Sequence, residues 1–218
     1  MPNVIKYIHL FPQEIKNTLI MLFWPGLFSI VFGLILAIVV VVTRKDGILP
    51  NKIIYWVLDK IINLFRSIPF IILVPLLMSL SLLVFHTSIG VKGAMIPLIV
   101  GTVPFTARQF ETAILEIPDG IVEASISMGM SPWQIITHVY LRENIPGMIR
   151  GVTIMLISLI GQIAIVGSLG AGGLGDLAIR YGLQRRMNDI TVVVIILILI
   201  IISIVQSIGN KLVELTTH

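Results

Sequence analysis

The chain has 218 residues, 56% of them hydrophobic and only 12% charged, well below the roughly 25% charged content of a soluble domain. Such a composition excludes a soluble globular fold and implies an integral membrane protein, long enough for about five helical spans of roughly 20 residues. The net charge of +4 is carried by Lys and Arg scattered singly or in pairs between apolar runs, the pattern of membrane flanks rather than of a nucleic-acid surface. Cysteine is absent and four histidines lack ligand spacing, so neither a disulfide framework nor a metal site is expected.

Residues 1–18 read as a mixed polar and apolar leader, without the short apolar stretch and small-residue cleavage site of a removable signal. It is expected to stay attached. The first span covers 19–43 and ends where Arg44, Lys45, Asp46, Gly47 and Pro50 supply charges and helix breakers. Over 53–66, Asp59, Asn63 and Arg66 form a polar stripe at helical spacing. Either this helix lies in the membrane interface or it begins a long second span. The interfacial reading is favoured, because an Arg at mid-membrane costs at least about 2.5–3.5 kcal/mol.

Ser67-Ile68-Pro69 restarts a helix, with Ser67 as a candidate N-cap, and the second span is expected over 67–85. A turn at 86–93 leads to a third span over 90–108, which contains Pro97, Gly101 and Pro104; Arg108, Glu111 and Glu116 mark its exit into solvent. The fourth span covers 151–170. A polar connection from Asp176 to Asp189 precedes the fifth span over 190–210. Five spans put the termini on opposite sides. The positive charges near the span ends favour the side holding Arg44, Lys45, Arg142 and Arg150 as cytoplasmic, with the N-terminus outside and the C-terminus inside.

Between spans 3 and 4 lies the longest polar segment, Ile117 to Gly147. Asp119 is a candidate N-cap for a first helix and Gly129 a left-handed terminator. Ser131 and Gln134 have the spacing of a capping box, with Pro132 at the first position of a second helix. The result is a helix-turn-helix. Ile121, Ala124, Ser125 and Met128 share a face of the first helix, and Pro132, Ile135, Ile136 and Val139 a face of the second. Both helices are too short to stand alone and must pack on the chain's own spans or on a partner. Ser131 to Leu141 contains no Lys or Arg, which argues against DNA recognition.

Gly170-Ala-Gly172-Gly173-Leu-Gly175 matches the dinucleotide pattern GxGxxG, but that pattern has meaning only between a strand and a helix. Here its glycines are expected to let the backbone bend or approach a neighbour. No nucleophile, base or paired carboxylates form a catalytic set. Ser67, Pro69, Gly161, Gln162, Gly167 and Ser168 are candidates for lining a pathway, being small or polar within apolar runs, with packing an equal alternative.

Glu123-Ala124-Ser125, three residues, Gly129, nine residues, then Val139-Tyr140-Leu141 resembles the EAA loop of ABC importer membrane subunits, with Arg142 where that pattern has proline. The stretches Phe65 to Leu73, His86 to Gly90, Leu115 to Pro118 and Gly170 to Gly175 extend the resemblance over nearly the whole chain, to the methionine-uptake permeases. The resemblance implies an all-α, five-span permease of the bacterial inner membrane. It further implies pairing with a second copy, two cytoplasmic ATPase subunits that bind ATP and magnesium, and an extracytoplasmic substrate-binding protein. The permease itself would need no cofactor and hydrolyse nothing. Glu123, Ala124, Ser125 and Gly129, with the Ser131 cap, would seat in the ATPase as the coupling element. Another amino acid, a metal chelate or an osmolyte is the alternative cargo. A secondary carrier is the alternative class, and it lacks the mid-membrane ionisable groups that ion coupling requires.

Overall fold

The computed structural model describes residues 1–217, and among these every regular element is helical. A short helix α1 (Pro2–Tyr7) passes through one tight turn into α2 (Phe11–Thr43). Then follow α3 (Lys52–Ser67), α4 (Phe70–Phe85), α5 (Gly90–Leu115), α6 (Asp119–Ser127), α7 (Pro132–Gln134), α8 (Ile145–Val166), α9 (Leu174–Asp176) and α10 (Asn188–Thr216). Four continuous helical stretches, Pro2–Thr43, Gly90–Leu115, Ile145–Ala171 and Asn188–Thr216, are long and apolar enough to cross a membrane. The pair α3 and α4 supplies a fifth segment, broken by a 108° bend.

Several boundaries differ from the sequence reading. The mixed polar and apolar leader is largely helical and runs on into the first span: Pro12 sits in the first turn of α2, where its missing N–H is harmless, and no proline follows before Pro25. Ser67 caps nothing. It ends α3, donating its hydroxyl to the Asn63 carbonyl at 2.8 Å, while Pro69 is the N-cap of α4. The break falls at Ile68 because the residue before a proline is driven out of the helical region. α5 continues seven residues past its expected end at 108, to Leu115, α8 starts at Ile145 rather than 151, and α10 reaches Thr216 rather than 210.

The chain forms two compact units. One comprises Met1–Phe28, Ile68–Thr102 and Leu156–Gln206. Its core joins Phe11, Leu174, Leu177, Ile190 and Val194. The glycine-rich segment is fixed there by α2: Glu14 Oε2 accepts the Gly173 N–H at 2.5 Å, and Thr18 Oγ1 accepts the Leu174 N–H at 2.9 Å. Gly173 has φ +86°, and a Cβ on it would lie 2.9 Å from Thr18 Oγ1. Only glycine fits. The segment therefore bends and approaches a neighbour, as its composition implied.

The other unit comprises Ser29–Ser67, Val103–Met155 and Ser207–His218. Its larger core gathers Val41, Phe110, Ile114, Ile135, Val139 and Tyr140, and a smaller one seats Ile62 of α3 on Val40 and Ala107. Beside it the polar stripe of α3 finds a partner that the sequence reading did not assign. Arg108 binds Asp59 and Glu111, the latter at 2.5 Å, and donates to Asn63 Oδ1 at 3.1 Å; Asn63 Nδ2 in turn donates to Asp59 at 3.0 Å. The side chains of Arg108, Asp59 and Glu111 are 16%, 25% and 12% exposed. Arg108 and Glu111 thus do not mark an exit into solvent; each offsets the other's desolvation inside the helix.

Replacing Arg108 by Gln leaves two carboxylates without a cation. The expected loss is about 3 kcal/mol, the low end for a broken buried pair because all three groups keep some exposure. A lowered melting temperature in detergent checks this, and an unchanged one would mean the cluster does not hold α3.

Candidate functional site

The polar segment between α5 and α8 is built by local hydrogen bonds. α6 begins after Pro118, which is its N-cap; Asp119 lies in the first turn and makes no capping bond, so its carboxylate favours the helix through the dipole. The helix ends at a left-handed Gly129 (φ +79°). The Met130 N–H bonds the Ser125 carbonyl at 3.1 Å and the Gly129 N–H that of Ile126 at 2.9 Å. These two bonds are the Schellman pair that closes a helix with its own backbone.

Two residues on, Ser131 accepts the Gln134 N–H while the Gln134 side chain accepts the Ser131 N–H at 2.8 Å. The capping box read from spacing is present. After α7 the coil widens over Ile135–Tyr140, with the Leu141 N–H reaching back five residues to Ile136. The segment closes on Asn144, whose Oδ1 accepts the Gly147 N–H at 3.1 Å and whose carbonyl accepts that of Met148. Arg142 is exposed, and the turn forms there without proline.

What faces the core differs from the expected stripes. On α6 the inward residues are Val122 and Ser125, the latter returning its hydroxyl to the Ile121 carbonyl at 2.8 Å. Ile121, Ala124 and Met128 point away. In the second helix Ile135, Val139 and Tyr140 are buried, whereas Pro132 is exposed. Met128 at 74% and Trp133 at 72% exposure leave large apolar groups uncovered on either side of the turn. Glu123 is also exposed.

Behind α6 lies a cavity of about 410 Å³ whose wall includes Arg44, Asp46, Asp119, Glu123 and Tyr140. Burial raises the Tyr140 phenol above its usual range, with Asp119 adding to the rise and Arg44 opposing it. The phenol is therefore neutral at physiological pH. Among the described residues no His, Asp or Glu group has the arrangement of a metal site.

Glu123, Ala124, Ser125, Gly129 and Ser131 thus belong to one continuous element of one unit. The pathway candidates are less united. Ser67 falls in the unit of α3, while Pro69, Gly161, Gln162, Gly167 and Ser168 fall in the other. Gln162 accepts a hydrogen bond from Thr102 at 3.2 Å, an interhelical tie. Gly161 borders open space, whereas Gly167 sits 2.8 Å, measured from an added Cβ, from the Asp176 nitrogen. Ser168 is exposed and donates to the Ile165 carbonyl at 2.7 Å.

Residues 29–215 match the family described as "Binding-protein-dependent transport system inner membrane component". The chain belongs to that family. It is 44% identical over 202 residues to the probable D-methionine transport system permease protein MetI of Pasteurella multocida, covering 93% of each chain. It is also 43% identical over 155 residues to the D-methionine transport system permease protein MetI of Escherichia coli K12, covering 71% of each. Among solved structures, it resembles a chain from inward-facing conformations of the MetNI methionine ABC transporter. There the TM-score is 0.95 and the identity 39%, covering 98% of this chain and 99% of the other. An amino acid ABC transporter solved with histidines shares the fold, with TM-score 0.79 and 18% identity. The chain is accordingly an all-helical, multi-pass inner membrane transport component with the fold of that permease.

The sequence reading of this permease-family loop missed the Asn144 cap, although Asn two residues before Pro146 is a recognisable helix start. It found both turn residues. Exchanging Gly129 for Val is expected to cost about 1–2 kcal/mol for the left-handed backbone, and Ser131 for Ala about 1 kcal/mol for the lost cap. Faster amide hydrogen exchange confined to residues 119–141 would report both.

Proposed function

We propose that this chain is the membrane-spanning permease subunit of an ATP-driven methionine importer. It works as a pair of identical copies, forms a single transmembrane domain over 1–218, and receives substrate from an extracytoplasmic binding protein. Two cytoplasmic ATPase subunits carry ATP and magnesium, and the permease needs no cofactor of its own. The observation that carries the reading is the element at Ile117 to Gly147. A self-capped pair of short helices, with EAA-like spacing, leaves Ile121, Ala124, Met128 and Trp133 uncovered in a member of this transport family. Exposed apolar groups rimmed by polar ones are the surface of a docking site.

In this reading Glu123, Ala124, Gly129 and Ser131 meet the ATPase, and Ser125 fixes α6 from behind. Closure of the ATPases moves the element and, with it, α5 and α8, opening the pathway near Pro69, Gly161, Gln162, Gly167 and Ser168, with Ser67 at the bend. Methionine is the cargo named for the relatives at 43–44% identity.

The N-terminus lies outside and the C-terminus in the cytoplasm. Two groupings support this topology. The N-terminal helix, the 86–93 turn and the connection at 172–187, all outside in this reading, belong to one compact unit. The turn at 44–51, the 117–147 element and the C-terminal end of α10, all inside, belong to the other.

The test uses the importer reconstituted with its ATPase and binding protein. Glu123→Arg and Gly129→Trp are each expected to lower ATP-driven methionine uptake by about tenfold or more, the effect of losing roughly 1.4 kcal/mol or more at the interface. Uptake and assembly that survive both changes would rule out docking. Competition by unlabelled methionine, and not by leucine, identifies the cargo.

A further inference from the structure

The unit built from the N-terminal segment, the 86–93 turn and the glycine-rich connection holds an open cavity of about 660 Å³, within the size range of small-molecule sites. Its wall carries charges of both signs. Asp176 and Arg180, one helical turn apart, form an ion pair, and both line the cavity with Ser168 and Gln184. Ile89 and Ile179 supply apolar wall.

The pair is unequal. The Asp176 side chain is only 12% exposed, whereas that of Arg180 is 50% exposed. Arg180 gives one guanidinium nitrogen to Asp176 Oδ2 and lies 5.5 Å from the Tyr181 ring centre. A guanidinium held by a carboxylate and an aromatic neighbour is oriented, and its remaining N–H groups form a planar fork suited to a second carboxylate. A short carboxylate held on a fixed turn is likewise an acceptor for an ammonium.

A free α-amino acid carries both complementary charges on one carbon. It loses hydration at both when it leaves water, so a wall that answers only one charge cannot hold it. We propose that this cavity is an acceptor site for the zwitterionic head of the transported amino acid. The α-carboxylate binds Arg180, the α-ammonium binds Asp176, Ser168 and Gln184 complete the polar shell, and the side chain lies toward Ile89 and Ile179. The proposal rests on the methionine-importer reading and assigns the face of the permease that first meets the substrate.

The experiment uses the complete importer in proteoliposomes and a diazirine analogue of methionine as the probe, irradiated before ATP is added, with adducts mapped by mass spectrometry. Adducts are expected within residues 89–91 and 168–184, which line the cavity, and are expected to disappear with excess unlabelled methionine. Arg180→Gln is expected to weaken them about tenfold, as the loss of one charge-assisted bond does, and Arg180→Lys to restore part of the signal. Exchanging the pair, Asp176→Arg with Arg180→Asp, keeps an ion pair but reverses the polarity offered to the ligand. A purely structural bridge predicts unchanged labelling, and an acceptor site predicts its loss. Gln184→Leu leaves the pair untouched and is expected to weaken labelling, so the question stays decidable if an Arg180 variant misfolds. Adducts elsewhere, no adducts, or full labelling of both Arg180→Gln and Gln184→Leu would overturn the site. If wild-type vesicles accumulate methionine in those cases, the importer reading stands. Wild-type vesicles that take up no methionine would overturn both.

Discussion

A backbone break inside a membrane protein frees N–H and C=O groups that lipid cannot satisfy, each at a cost of several kcal/mol. Among the described residues, several breaks in the helices are answered by named partners. At the glycine-rich bend the partners are Glu14 and Thr18, which take the N–H groups of Gly173 and Leu174. After α9 the coil does not stop but widens over Leu177–Leu183. The N–H of Gln184 reaches back five residues to Ile179 at 2.9 Å, so the register change there keeps this donor paired. Glu14 and Thr18 therefore explain why polar residues persist early in α2, where composition alone reads them as a leader before the membrane.

The same constraint separates what the sequence reveals from what it hides. Turn chemistry is local, and Gly129, Ser131 and Gln134 could be placed before any coordinates because their partners lie within a few residues. Span existence was legible for a similar reason, being a matter of apolar length. Boundaries were not. Charge reads as a sign of water at Arg108 and Glu111, but Asp59, which pairs with Arg108, comes from a helix about fifty positions earlier, and only the fold brings it near. Periodicity groups Ile121, Ala124, Ser125 and Met128 on one face of α6, and of these only Ser125 turns inward, beside Val122. The small, hydroxyl-bearing side at Ser125 is the one that packs.

Two ionic groupings of opposite character result. The cluster of Asp59, Asn63, Arg108 and Glu111 is closed, with the donor and acceptors turned on one another and little exposure. The pair of Asp176 and Arg180 borders an open cavity with its cation half in solvent. Closed clusters fix geometry and gain from exclusion of water, whereas open pairs retain capacity to exchange partners. In a chain with 12% charged residues, this contrast divides structural charge from charge that stays available.

The turn between α6 and α7 has one more implication. Its bonds run from Met130 to Ser125, from Gly129 to Ile126, and both ways between Ser131 and Gln134, so it draws on nothing outside itself. A surface that holds its bound shape in the isolated chain surrenders little disorder when it is covered, and more of the contact energy remains as affinity. Its assembly would then resemble the meeting of two rigid bodies, with encounter rates set by orientation rather than by folding. The Gly129–Ser131 junction is thus ordered by its own hydrogen bonds in the single chain.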